Sequence, residues 1–355
     1  MSVQQIPVVV LAGFLGSGKT TLLNHLLRSA RGTRIGVMVN DFGSIEIDAM
    51  TVAGQVGSTV SLGNGCLCCA VDASELDTYL ETLTRPSARL DVIVIEASGL
   101  AEPQELVRMI LASDNRRIMY GGLVEVVDAA EFDTTRARHP ETDRHLAIAD
   151  LVVVNKADRV PGAELRRVHS AVTELAGRAA VIDAAHGRVD PDLLFDRAAP
   201  PDDDSGARQL SFEDLDELYV AEDAHPHAAY ETVSFTSDLP LHPRRLLDFL
   251  DARPEGLYRI KGFVDFGDAD PANRYSLHAV GRFLRFQPEP WPRGERRLTQ
   301  LVLIGSSTDG EALRKALDDC RVTGGQDAPE EHSMWGVLRY VPRPPEEDGE
   351  PDPLA

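Results

Sequence analysis

The chain has 355 residues, 43% of them hydrophobic and 26% charged, with 57 Asp+Glu against 36 Lys+Arg and a formal net charge of −21. That length implies two domains, and no apolar run approaches the roughly 20 residues that cross a bilayer. So acidic a surface repels phosphate backbones, which argues against a general nucleic-acid binder, and four cysteines in a chain of this size are too few for a disulfide framework.

In chain order, residues 6–11 are an apolar run that reads as a buried strand. A helical pattern follows, with Leu22, Leu23, Leu26, Leu27 and Ala30 on one face. Between them stands Gly13-Phe14-Leu15-Gly16-Ser17-Gly18-Lys19-Thr20. Strand, glycine loop and helix in succession are the context that turns this pattern into a phosphate cradle. Backbone N–H groups of such a loop close around phosphate oxygens, and the helix N-terminus adds partial positive charge. Lys19 then reaches the β- and γ-phosphates, the Thr20 hydroxyl takes Mg²⁺, and Gly13, Gly16, Ser17, Gly18 and Thr21 complete the nucleotide contacts.

Residues 34–39 read as the next strand, ending at Asn40-Asp41-Phe42-Gly43, with Glu46 and Asp48 beyond. This is a switch-loop position, where Asp41 can position Mg²⁺ and water or lend an oxygen to a second metal. A short strand pattern at residues 58–62 leads through Gly63-Asn64-Gly65 to Cys66-Leu67-Cys68-Cys69. Thiolates are soft ligands that favour Zn²⁺ or Cu(I). Three sulfurs without a second pair make an incomplete site, whose last ligand is a carboxylate, a His, water or a client protein. A redox switch and ordinary buried cysteines are the rival readings. Cys320 falls in a different region.

A helix is expected over residues 72–84, with Asp72 and Glu75 as a capping box. Residues 91–95 read as a strand that delivers Glu96 to the phosphate loop, where a carboxylate handles Mg²⁺ or its water shell. Gly99 stands where a backbone N–H senses the γ-phosphate, and Pro103 suits a helix start. A strand at 122–127 and another at 151–154 follow, the second ending at Asn155-Lys156-Ala157-Asp158. The Asp158 carboxylate in such a segment accepts from guanine N1–H and N2–H₂, groups that adenine cannot offer, so the nucleotide expected is GTP. Asp183-Ala184-Ala185 can add backbone contacts to the base.

Alternation of strand and helix up to about residue 182 gives an α/β fold, a mostly parallel P-loop sheet with helices on both faces. Ligands gather at strand C-terminal ends, where each of these motifs falls. Beyond a Pro- and Asp-rich stretch, β patterns at 230–235, 257–266, 277–286 and 298–304 enclose helices near 243–252 and 309–319, a smaller C-terminal α+β domain. The expected division is a GTPase domain at 1–199, a linker at 200–229, the C-terminal domain at 230–341 and an acidic disordered tail at 342–355.

The motifs from Gly13 to Thr20, at Asn40–Gly43, Cys66–Cys69, Glu96–Pro103 and Asn155–Asp158 stand in the order seen in CobW-type GTPases of the SIMIBI class, and the chain resembles that family over most of its length. The segments Tyr258-Arg259-Ile260-Lys261-Gly262-Phe263 and Leu301-Val302-Leu303-Ile304-Gly305 resemble its C-terminal domain. The resemblance implies a Mg²⁺-dependent GTPase and zinc chaperone like the zinc-regulated GTPase metalloprotein activators. It carries Zn²⁺ on Cys66, Cys68 and Cys69, with Asp41 as a further ligand, and passes it to a client metalloprotein. Catalytic roles fall to Lys19, Thr20, Asp41 and Glu96. Cobalt or other metal insertion, a thiol redox sensor and a regulatory switch are the alternatives. A homodimer, no membrane partner and a cytoplasmic location are expected. Three departures stand out: Asp41 where the family usually has Glu, Ser61 where members often carry Glu, and only His225 and His227 in place of a His-rich stretch.

Overall fold

The computed structural model describes residues 5–29, 32–39, 59–61, 73–99, 101–195, 230–292, 294–324, 329–330 and 332–342. The chain divides into two compact units, Met1–Glu231 with Pro254–Tyr258 and Ile304–Thr308, and Thr232–Arg253 with Arg259–Leu303 and Asp309–Ala355. The expected linker at 200–229 lies outside the described residues, as does the tail beyond residue 342.

In the first unit, β1 (Ile6–Ala12), β2 (Ile35–Val39), β3 (Thr59–Ser61), β4 (Val92–Glu96), β5 (Ile118–Asp128), β6 (Leu151–Asn155) and β7 (Ala180–Asp183) form one sheet. Their order is β3-β2-β4-β1-β5-β6-β7. All six neighbouring pairs are parallel, a stricter arrangement than the mostly parallel sheet expected. Val8, Val9 and Val10 are 0%, 1% and 0% exposed. Successive strand side chains point to opposite faces, so both faces of the sheet are covered, as a parallel sheet requires. Helix α1 (Lys19–Ser29) buries Leu22, Leu23 and Leu26. The helix Gly162–Ala176 contributes Val168, Val172 and Ala176 to a core cluster with Phe132, Leu146 and Val152.

β1 is the topological switch point. The chain leaves it for β2 on one side, while β5 joins it on the other. Crevices outside strand C-termini at such a point are where α/β sheets bind ligands. β5 is longer than the 122–127 run expected from sequence. Gly121-Gly122 interrupts the apolar pattern there, and the β1–β5 register shifts between Val8 and Val9.

A second sheet, most of whose residues belong to the second unit, comprises β8 (Glu231–Ser237), β9 (Leu257–Val264), β10 (Asn273–Val280), β11 (Phe283–Pro290) and β12 (Thr299–Gly305), in the order β11-β10-β9-β12-β8. Helices Pro243–Asp251 and Gly310–Asp318 accompany it, the latter capped by Asp309, whose carboxylate accepts from Glu311 N and Ala312 N. The single pattern expected at 277–286 is in fact a hairpin. β10 and β11 pair antiparallel down to Val280 opposite Phe283, and Gly281, at φ +50°, makes the turn with Arg282. A two-residue turn is short enough to hide inside an apolar run.

Leu123, fully buried in β5, sets a stability prediction. Leu123→Ala lowers the denaturant stability of the first unit by about 2–5 kcal/mol, whereas Leu111→Ala, at a residue 53% exposed, stays within about 0.5 kcal/mol of the parent.

Candidate functional site: a phosphate loop and its braces

The loop from Gly13 to Gly18 joins β1 to α1, whose first turn carries no acidic residue to offset its N-terminal positive charge. Gly18 stands at φ +105°, and a side chain there would strike the Asn155 amide, so the loop closes tightly on the end of β6. Ser17 N donates to Phe14 O at 3.1 Å, which curls the loop on itself. Lys19 is 8% exposed, and its ammonium donates to Gly13 O at 2.8 Å and Phe14 O at 3.3 Å. The cation therefore lies along the inner loop.

Glu96 ends β4, beside β1, and is 5% exposed. The Thr20 hydroxyl donates to Glu96 Oε1 at 2.7 Å. Two hard oxygen donors are thereby held at one point of the loop's mouth, a donor set suited to Mg²⁺. Gly99, after β4, lies against the loop, and a Cβ there would stand 2.7 Å from Leu15 N. Pro103 begins the helix Pro103–Ala112, as its fixed φ favours.

Two side chains at the end of β6, Asn155 and Lys156, brace the loop, and Asp158 follows them. Asn155, 1% exposed, donates from Nδ2 to Ser17 O at 2.9 Å and accepts from Gly187 N at 2.9 Å. Lys156 adopts a left-handed φ of +59° and donates to Gly16 O and to Asp128 Oδ2, both at 2.6 Å. Asp158 lies in the 3-10 turn Ala157–Arg159, partly exposed, with His186 Nε2 at 3.6 Å from its Oδ2. Ala157 N donates to Ala184 O at 3.0 Å, which sets the 183–185 segment beside the Asn-Lys-x-Asp turn.

The structure thus brings together Gly13, Gly16, Ser17, Gly18, Lys19, Thr20, Thr21, Glu96, Gly99, Asn155, Lys156 and Asp158 along the C-terminal edge of one sheet. Asp41, Cys66, Cys68 and Cys69 lie outside the described residues. Among the described residues, no group of three or more His, Cys, Asp or Glu is arranged to hold a metal. Cys320 is buried and free, its Sγ against Ala316 O at 3.2 Å, and burial pushes its thiol up to about 11.

Sequence reasoning missed two acids of β5. Asp128 anchors Lys156. Glu125, 2% exposed, lines a cavity of about 470 Å³ together with Phe14, Leu15, Gly16 and Ser17. Burial pushes its carboxyl up to about 8, against the pull of Lys19. The only signal in the sequence was a lone acid inside the apolar strand Leu123-Val124-Glu125-Val126-Val127.

A parallel switch-point sheet with a lysine-bearing glycine loop and a braced Asn-Lys-x-Asp turn defines a P-loop nucleotide-binding protein. Residues 7–183 match the family model described as CobW/HypB/UreG, nucleotide-binding domain, and residues 230–321 match the cobalamin synthesis protein cobW C-terminal domain. Similar proteins include the zinc chaperone CobW of Sinorhizobium sp, 31% identical over 88% of this chain and 96% of that protein. Others are the zinc chaperone YjiA of Escherichia coli, 32% identical over 54% of this chain and 61% of that one, and zinc-regulated GTPase metalloprotein activator 1 of Schizosaccharomyces pombe, 30% identical over 52% and 47%. The chain belongs to the CobW/HypB/UreG family of P-loop GTPases. No helix among the described residues is long and apolar enough to cross a membrane.

Asn155→Ala leaves Ser17 O and Gly187 N without their partner. Nucleotide affinity, measured by calorimetry with GDP, falls by about 1–3 kcal/mol, roughly 5- to 150-fold, while the fold is retained.

Proposed function

We propose that this protein is a GTP-hydrolysing zinc chaperone, converting GTP and water to GDP and phosphate and passing zinc to a client metalloprotein. The observation that carries the reading is the Thr20–Glu96 hydrogen bond at the mouth of a lysine-bearing phosphate loop. Lys19 turns from the loop carbonyls to the β- and γ-phosphates, while the amides of Gly13, Gly16, Ser17 and Gly18 cradle the phosphate oxygens. Thr21 adds an α-phosphate contact, and the Gly99 amide meets the γ-phosphate. Thr20 and Glu96 would hold Mg²⁺, which when bound neutralises charge between the β- and γ-oxygens. Asp41 orients the attacking water. Asn155 and Lys156 hold the loop, and Asp158 selects guanine over adenine.

The zinc cargo rests on Cys66, Cys68 and Cys69, with Asp41 as a fourth donor. Supporting this, β3 is parallel to β2 and ends at Ser61, so the chain leaves for these cysteines from the same sheet edge that carries the loop, Glu96 and Asn155. A shared edge lets nucleotide state bias the sulfur ligands. A tenfold change in zinc affinity needs only about 1.4 kcal/mol of coupling, and linkage makes it reciprocal. The full-length likeness to a protein named as a zinc chaperone favours zinc over cobalt.

Serine at Cys66, Cys68 and Cys69 together abolishes tight zinc binding and leaves nucleotide affinity within about twofold of the zinc-free parent. Lys19→Ala lowers GTP turnover by about 10²-fold or more and spares zinc. Zinc affinity by chelator competition differs between GTP-analogue and GDP states; equal affinities with GTP analogue, GDP and no nucleotide refute the coupling.

A further inference from the structure

Glu125 stands on β5 opposite Ala12 of β1, the residue just before the phosphate loop. It is 2% exposed, and its Oε2 has no hydrogen-bond partner. Ser17, which lines the same cavity, has its Oγ likewise buried without a partner. The charged groups around this cavity come from four elements. Lys19 acts on Glu125 from α1. Asp128 follows on β5 and is already tied to Lys156 of the β6 turn at 2.6 Å. Glu131, Arg138 and His139, in and around the helix Phe132–Arg138, line the cavity as well. The His139 ring lies on Phe14 at 4.3 Å and its Nδ1 faces Glu141 at 3.0 Å. Of all these, Lys19 is the group that draws Glu125 toward ionisation, and burial outweighs it. A buried carboxyl without a bonded cation keeps its proton.

We propose that Glu125 is a positioning residue for Lys19: as a neutral acid beside the phosphate loop it does not compete with the nucleotide's phosphates for the ammonium, and as a carboxylate it draws that ammonium toward itself and sets a negative charge near the loop. The inference rests on the P-loop reading of the site. It makes proton and nucleotide binding mutually dependent. The phosphates' negative charge holds the proton on Glu125 more firmly, so nucleotide binding above pH 8 takes a proton up. At lower pH the residue is already neutral and the linkage vanishes. The sign is therefore fixed: affinity is flat on the acid side and falls on the alkaline side.

The test is calorimetry with a slowly hydrolysed GTP analogue and Mg²⁺ between pH 7 and 9. Wild-type affinity falls above pH 8 with a slope approaching tenfold per pH unit, and Glu125→Gln holds its pH 7 affinity within about twofold across the range. A second measurement needs no variant. At pH 8.5, titrations in two buffers of different ionisation enthalpy show proton uptake on binding by the wild type. A flat wild-type profile, no proton uptake, or an equal fall in both proteins overturns the proposal. Failure to bind nucleotide at pH 7 refutes instead the P-loop reading, and this inference falls with it.

Discussion

A single buried amide holds the nucleotide site together. Asn155 donates to Ser17 O and accepts from Gly187 N, and at 1% exposure water replaces neither bond. Phosphate loop, β6 terminus and the segment after β7 are thereby one rigid piece. Rigidity matters because a cradle of backbone N–H groups works only if its donors already point inward. Lys156 reinforces the piece by spending its ammonium on Gly16 O and Asp128, not on solvent. The left-handed backbone at Lys156, rare outside glycine, is the cost of aiming that side chain at the loop.

Oxygen and sulfur chemistry divide along the sequence. Thr20 and Glu96 offer hard donors at the loop's mouth, while three sulfurs follow β3. Under the proposed reading, a hard ion is drawn to the oxygens and a soft one to the thiolates. The parallel sheet brings the phosphate loop, Glu96, Asn155 and the end of β3 to one rim, because its strands all run the same way. No antiparallel sheet of the same strands would do so.

Much of this was legible in advance. Unbroken Val- and Ile-rich runs such as Val8-Val9-Val10 and Val152-Val153-Val154 declare strands covered on both faces, and the glycine loop and Asn-Lys-x-Asp turn declare their positions at strand ends. What escaped was of two kinds. The hairpin at Gly281 looks like one strand in sequence because two turn residues barely interrupt an apolar pattern. Glu125 and Asp128 were passed over because a strand's sequence does not reveal which neighbour each side chain meets. The acid's meaning comes from β5 lying against β1, a contact between residues more than a hundred positions apart. The sequence departures at Asp41 and Ser61 bear on the metal reading, and Asp41 lies outside the described residues.

The fourth cysteine has a separate consequence. Cys320 is locked in the second unit with its thiol proton retained well above neutrality. A protonated, enclosed thiol neither captures soft ions nor exchanges with disulfides. Folding therefore silences one of the chain's four thiols, and denaturation would expose it as a further soft-metal ligand. Heat or chaotrope would thus add a thiol that the folded chain withholds from soft ions.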